Sequence, residues 1–432
     1  MLSAIFVAAA IAGNGAAPWP SLRRDGSNSG AAPGPAHVTR LQLDPKWTYA
    51  ADSRITSSPT VAGGLVFVGT WSGDVLALDE RTGMLVWRAV LGAGSDWFYG
   101  GPRGVIGSVA VSNDVVYAVS GSCVAEALDA ATGRTVWRTS VCDVAEHDDI
   151  YASPVVVGGK VLIGIDMLGD SPTDRGRELA LSASTGKISW TMYPERYDGT
   201  GTGISATPAI DAHHNVAYIG TGNPTPATAP PPGPDAYSDS MLAVNVATGE
   251  VLWTFGPVNP HDTHDFDFFA SPNRFIVGAG SDARWAIGEA NKNGTYYAVD
   301  ARTGAELWRR FVMAEPIGTS AVAGDTIFVT AYGDRDDAGM IAALRTSDGA
   351  VMWSRDTAGM YEAPAVWGDV VFATEASGWL DAFSAGDGAP LGRWPLAGAL
   401  HGRGPSVADG TLFVAAGTRL HAYSLAAQVG TR

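Results

Sequence analysis

The sequence predicts an all-β fold, an eight-bladed β-propeller of four-stranded antiparallel blades in which the N-terminal strand closes the last blade. Three observations predict it. A turn-plus-tryptophan unit recurs down the chain, short period-two runs come four to a repeat, and the two chain ends hold complementary parts of one blade. Composition agrees: of 432 residues, 46% are hydrophobic and 17% charged, with 54 glycines and 25 prolines. That balance favours many short strands joined by turns over helices.

The recurring unit is clearest in Asp129-Ala130-Ala131-Thr132-Gly133-Arg134-Thr135-Val136-Trp137. A loop that opens with Asp, Asn or Ser and ends in Gly suits a hairpin built on a type I turn with a bulge. Copies open at Asp79, Asp129, Ser182, Asn245, Asp300 and Arg345, and in all six the Trp falls four residues after the Gly. A seventh, from Ser384 to Trp394, is degenerate and reads as having two extra residues between Gly388 and Trp394. Trp47 stands without a preceding turn.

Upstream of each turn the same order repeats. A short segment such as Ser58-Pro59-Thr60-Val61, Ser153-Pro154-Val155-Val156 or Ala363-Pro364-Ala365-Val366 precedes a second apolar run. A third run alternates, as in Tyr296-Tyr297-Ala298-Val299, and the run ending in Trp is the fourth. Four period-two strands describe one propeller blade. After Trp394, residues 404–407, 412–416 and 419–424 supply three strands and no fourth. Leu43-Asp44-Pro45-Lys46-Trp47 supplies a fourth strand with no first three. Joining them pairs an otherwise open edge.

Successive intervals from Trp47 to Trp394 are 40, 50, 53, 63, 55, 45 and 41 residues. A minimal blade needs about 40 residues, so additions concentrate between Trp87 and Trp308. Loops on a rigid scaffold are where function tends to sit.

Residues 1–17 read as a secretion signal, with an apolar stretch from Leu2 to Ala12 and small residues before Pro18, although no leading Lys or Arg is present. The propeller is expected over 18–427, with 428–432 as a tail. No later stretch reaches the roughly 18 apolar residues of a transmembrane helix, so the chain is expected not to span a membrane and to be secreted, periplasmic or held in the cell envelope. Cys123 and Cys142 are symmetric about the turn near Thr132 and Gly133, and a cross-strand disulfide between them is expected. The alternative is two unrelated thiols. Net charge is −16, which argues against a nucleic-acid surface.

The eightfold turn-Trp repeat, the opening Trp19-Pro20-Ser21-Leu22-Arg23-Arg24-Asp25-Gly26 and Tyr218-Ile219-Gly220-Thr221-Gly222-Asn223-Pro224 together resemble the pyrroloquinoline quinone (PQQ)-dependent alcohol dehydrogenases. Asp239-Ser240-Met241-Leu242-Ala243-Val244 and Asp267-Phe268-Phe269-Ala270-Ser271-Pro272 point to the polyvinyl-alcohol dehydrogenase-like branch. The resemblance runs over essentially the whole mature chain. It implies PQQ and Ca²⁺ as cofactors, a small or polymeric alcohol as substrate, and hydride transfer to the quinone. A separate electron acceptor such as a cytochrome is implied too, because no Cys-x-x-Cys-His is present to attach a haem.

By the same resemblance, Asn223 is a Ca²⁺ ligand, a role its hard carboxamide oxygen suits. Asp265 is the base that takes the alcohol proton beside the metal, with Asp267 the next match. Lys292 contacts the quinone oxygens, and a fixed cation there stabilises developing negative charge. Arg103 is placed to pair a cofactor carboxylate. Asp170, or Asp174, stands near the position of an acidic Ca²⁺ ligand. Plainer readings coexist with these. Asn223 can initiate an Asn-Pro turn, Lys292 can precede an ordinary Asn-Gly turn, and residues 261–267 can be a solvated acidic loop or, through His261 and His264, a transition-metal site.

Two departures stand out. The family often stacks its planar cofactor on a Trp and beneath adjacent cysteines, but Gly203-Ile204-Ser205-Ala206-Thr207-Pro208 has no Trp and the two cysteines are not neighbours. The alternative function is therefore a cofactor-free propeller acting as a binding or assembly scaffold in the cell envelope, like the lipoprotein subunit of the outer-membrane assembly machinery.

Overall fold

A computed structural model describes residues 17–430, except 95–102, 147, 168–174, 195–200, 226–236, 258–263, 314, 317, 334–337 and 397–403. Residues 1–16 of the predicted secretion segment 1–17, together with Asp170, Asp174 and His261, lie outside the described residues.

Eight blades form the fold. Blade 1 orders its strands as Thr60–Ala62, Leu65–Gly69, Asp74–Asp79 and Leu85–Val90, each antiparallel to the next. Blades 2 to 7 repeat this order in sequence. Blade 8 takes Ser406–Ala408, Thr411–Ala416 and Arg419–Val429 from the C-terminal end, and Val38–Ala50 pairs antiparallel with Arg419–Val429 as its outermost strand. The closure read from Trp47 is thus present. Middle strands are buried on both faces, as Val66 and Leu76 on one face and Phe67 and Ala77 on the other illustrate, and outer strands alternate.

The turn-Trp unit joins neighbouring blades. Asp129 Oδ1 accepts bonds from the Thr132 amide (2.9 Å) and hydroxyl (2.6 Å), and the Gly133 amide donates to the Asp129 carbonyl (2.8 Å). Gly133 has φ +69°, a conformation that favours a residue without Cβ. The Trp87 ring of the preceding blade lies on it, 2.6 Å from where a Cβ would stand, and Trp87 Nε1 donates to the Ala130 carbonyl (2.9 Å). The same docking joins Trp47 to Gly83, Trp137 to Gly186, Trp190 to Gly249, Trp253 to Gly304, Trp308 to Gly349 and Trp353 to Gly388.

The seventh repeat differs from the expectation of two extra residues. In blade 1, Trp87 pairs with Ala77 across a bulge; in blade 7, Gly392 pairs with Ala382 across the equivalent bulge. Gly392, four residues after Gly388, occupies the tryptophan position, and the Trp394 ring covers it. The reason is topological. In blade 8 the third and fourth strands come from opposite chain ends, so no turn glycine exists there for a blade 7 tryptophan to dock against.

Cys123 and Cys142 are bonded, with Cα atoms 4.8 Å apart, at the open end of the blade 2 hairpin.

Innermost strands leave their axial edges unpaired within each blade, and the segment after Ala17 runs along them. Trp19 forms a two-way bridge with Val61 of blade 1 (2.9 and 2.8 Å). The Pro20, Gly26, Ser27, Ser29 and Gly30 carbonyls then accept from Val111, Ile210, Arg274, Val322 and Val366, on blades 2, 4, 5, 6 and 7. Ala31–Ala32 adds a parallel strand to blade 7. Arg23 is buried at the centre of this strap and donates to the Ser320 and Pro364 carbonyls. Burial pushes its guanidinium down to about 9.

Candidate active site

The second strand of each blade ends, and its first strand begins, at the same end of the axis. Asn223 follows Val216–Gly220, the second strand of blade 4, and Lys292 follows Arg284–Ala290, the second strand of blade 5. Asp265 and Asp267 precede Asn273–Val277, the first strand of blade 5. The loop holding them is fixed by its backbone: the Phe268 amide donates to the Thr221 carbonyl (3.2 Å) and the Lys292 amide to the Asp267 carbonyl (3.1 Å).

These contacts bring three of the sequence-predicted residues into one cluster. Asp265 Oδ1 accepts from Asn223 Nδ2 (2.7 Å) and from Lys292 Nζ (2.8 Å). Lys292 also stands 3.0 Å from Asp267 Oδ1, and its side chain is 16% exposed where that of Asp265 is 67% exposed. Burial works against charge on Asp265, but the Lys292 ammonium and the Asn223 amide overcome it and hold the carboxyl below the usual range. Asp267 is the opposite case. Burial raises it to about 7 despite Lys292, and the charges of Asp265 and Asp166 add to the rise. Burial would lower Lys292, yet the two carboxylates raise it, so it stays protonated.

The donor set suits a hard cation. Asn223 Oδ1 is buried and accepts no hydrogen bond among the described residues. It is carried on the amide whose nitrogen is already tied to Asp265, so a carboxamide oxygen and carboxylates are gathered at one place. Beneath them Glu289 is buried, and burial with Asp267 raises its carboxyl well above the usual range.

Arg103 is elsewhere on the same rim. It pairs with Asp149 (2.6 Å), donates to the Tyr151 hydroxyl, and lies over the Tyr151 ring at 4.8 Å. It is therefore a buried, charge-compensated group instead of an uncommitted cation. The Tyr151 ring meets the Phe269 ring edge to face at 5.8 Å, and Lys292 Nζ lies 5.2 Å from the Phe269 centroid. Sequence reading missed both rings, along with Asp166, whose Oδ2 accepts from Ser205 (2.5 Å). The signal was present: Tyr151-Ala152-Ser153-Pro154 and Phe269-Ala270-Ser271-Pro272 place an aromatic residue three before the Pro that opens a first strand. His264 is exposed and stacks on Phe266 at 5.0 Å. The only cluster of metal-ligand type found among the described residues, Cys123, Cys142 and Asp148, includes the two disulfide-bonded cysteines.

Comparison with known proteins follows this geometry. Residues 142–331 match the glucose/ethanol/alcohol dehydrogenase β-propeller domain, and residues 44–100 and 292–391 match outer membrane protein assembly factor BamB. The chain is 28% identical over 288 residues to quinohemoprotein alcohol dehydrogenase ADH IIB of Pseudomonas putida, a match covering 59% of this chain and 34% of that protein. It is 25% identical over 461 residues to a polyvinylalcohol dehydrogenase of a Pseudomonas species, covering 88% of this chain and 70% of the relative. The chain thus spans about a third of the first relative's length. Among solved structures, quinohemoprotein alcohol dehydrogenase from Comamonas testosteroni superposes with a TM-score of 0.79 at 19% identity, over 96% of this chain and 82% of that one. At that identity the likeness speaks for the fold.

Proposed function

We propose, for a chain that belongs to the PQQ-dependent alcohol dehydrogenase-like family of eight-bladed propellers, the oxidation of a small or polymeric alcohol by hydride transfer, with PQQ and Ca²⁺ as cofactors. The observation that carries it is the convergence of Asn223, Asp265 and Lys292, from three separate segments, on one hydrogen-bonded cluster. When bound, the quinone supplies the two-electron acceptor for the hydrogen on the alcohol carbon.

The chain's own groups supply the rest. Asp265, held ionised, accepts the hydroxyl proton as the carbon is oxidised to a carbonyl. Asn223 Oδ1, with a carboxylate oxygen of Asp265, would hold the cation, and Asp170 would be a further ligand in this reading. Lys292 holds Asp265 in position and would supply a fixed positive charge to the quinone, where such a charge favours electron arrival. Arg103, already balanced by Asp149, offers directed N–H donors to a cofactor carboxylate. Electrons leave to a separate acceptor such as a cytochrome. Export to an oxidising compartment fits the Cys123–Cys142 bond, and no helix among the described residues is long and apolar enough to cross a membrane.

The scaffold alternative draws on the match to the assembly factor. It leaves the Asn223–Asp265–Lys292 cluster without a use. Purified protein supplied with PQQ and Ca²⁺ tests the two: bound-quinone absorbance with alcohol-dependent reduction of a redox dye is expected, and absence of quinone binding at micromolar concentration rejects the enzyme. Asp265→Asn is expected to abolish turnover with the quinone still bound.

A further inference from the structure

The eight blades place equivalent residues at one level around the axis, and one such position lies three residues before the residue that opens each first strand. Blade 3 has Tyr151 there, blade 4 Ser205 and blade 5 Phe269, counted back from Pro154, Pro208 and Pro272. Ser205 is small, and its hydroxyl turns to Asp166 at 2.5 Å. The rings of the two flanking blades meet at 5.8 Å, edge to face. Each ring also carries a cation, Arg103 at 4.8 Å from the Tyr151 centroid and Lys292 at 5.2 Å from the Phe269 centroid.

We propose that Tyr151 and Phe269 form an aromatic wall for the planar quinone, one ring presenting its face and the other, inclined at 67° to it, its edge, in place of the tryptophan that Gly203 to Pro208 lacks. The proposal rests on the reading of the site as a quinone site. The physical case is direct. A flat, electron-poor ring system bearing carboxylates needs an apolar face to lie against and cations at its rim. A single blade 4 aromatic would supply that face from one residue; here blade 4 has Ser205, buried and bonded to Asp166, and the rings come one from each neighbouring blade. Arg103, paired with Asp149, and Lys292, paired with Asp265 and Asp267, each also lie near one of the rings, so two positive charges stand at the edge of the wall. Both rings are partly exposed, unlike the fully buried Phe67, Phe328, Phe372 and Phe413 that pack between blades.

Calorimetric titration of Ca²⁺-supplemented protein with PQQ tests this without reading turnover. Phe269→Ala is expected to weaken the quinone Kd at least tenfold, and Phe269→Trp to keep it within threefold of the parent. Phe269→Leu preserves apolar volume without a π face and guards against misfolding; it is expected to bind at least threefold more weakly, with an unchanged unfolding midpoint. Tyr151→Leu is expected to weaken binding similarly. If the parent binds PQQ and both Phe269→Leu and Tyr151→Leu bind within twofold of it, the wall is rejected and the quinone site stands. If the parent does not bind PQQ, both readings fall together.

Discussion

Asn223 and Asp265 are 42 residues apart in the chain and one hydrogen bond apart in space, 2.7 Å from the Asn223 amide nitrogen to Asp265 Oδ1. Asp265 thereby keeps two donors on one oxygen, because Lys292 reaches the same atom at 2.8 Å. The carboxylate is fixed before any substrate or metal arrives, and each donor is a handle on its charge.

Lys292→Met removes the cation shared by Asp265 and Asp267. The Asp265 carboxyl, held below the usual range in the parent, is expected to rise, since only the Asn223 amide then opposes burial and the neighbouring carboxylate. Alcohol-dependent dye reduction is expected to fall by about two orders of magnitude, the scale of losing one preorganised charge. The acid limb of the residual rate is expected to move to higher pH. A pH–rate profile of parent and variant reads the shift, and an unmoved acid limb rejects the coupling.

Asp381 gives a pH dependence remote from that cluster. It lies beside Glu375 in blade 7; burial, with the Glu375 charge, pushes it to about 7 against the pull of Arg393. Folded protein therefore keeps a proton that the unfolded chain releases near 4, so this group makes stability fall as pH rises from about 4 to 7. Asp381→Asn is expected to flatten that part of the curve in urea unfolding followed between pH 4.5 and 8. An unchanged slope means that Asp381 ionises normally.

The Cys123–Cys142 bond closes a loop with a sequence separation of 19. Loop-closure entropy on that scale is worth about 3 kcal/mol. The Cys123→Ser/Cys142→Ser double variant is expected to lose about that much in denaturant unfolding. Intact-mass measurement of the parent with and without reductant, followed by alkylation, is expected to show no free thiol until reduction.

Two glycines separate backbone conformation from docking. Gly64 has φ +77° and nothing within 4 Å of an added Cβ; Gly133 has φ +69° and the Trp87 ring at 2.6 Å. Gly64→Ala is expected to cost about 1 kcal/mol through conformation alone. Gly133→Ala must also displace the ring and is expected to cost about 3 kcal/mol. Equal losses, measured by chemical unfolding, would show that the ring contact carries no energy.

The fold was legible because its markers are local. The turn from Asp129 to Gly133, the Trp four residues on and the period-two runs are all set within one blade, so counting them counted blades. The seventh repeat misled because its cause is not local. Gly392 stands where a tryptophan belongs, and the reason lies in a neighbouring blade assembled from both chain ends. At the site, Asn223, Asp265 and Lys292 were named from residue type and motif, but their meeting depends on how blade 4 sits against blade 5. Tyr151 and Phe269 escaped because an aromatic residue beside a first strand reads as core until the ring geometry shows the two meeting edge to face from the blades on either side of Ser205. The Arg103 pairing with Asp149 joins two blades in the same way and has no mark in local sequence.

The strap has a consequence for how the chain reaches this state. Its residues are made early, yet Arg23 bonds to Ser320 and Pro364, 297 and 341 positions later, and the Ser29 and Gly30 carbonyls wait for Val322 and Val366. Val38–Ala50 likewise waits for Arg419–Val429. Individual blades form from near neighbours in sequence and fold quickly, whereas long-range closure is slow. Docking of the strap and closure of the ring thus use adjacent pieces of one short segment, and neither contact set can be complete until the residues of the last two blades are present.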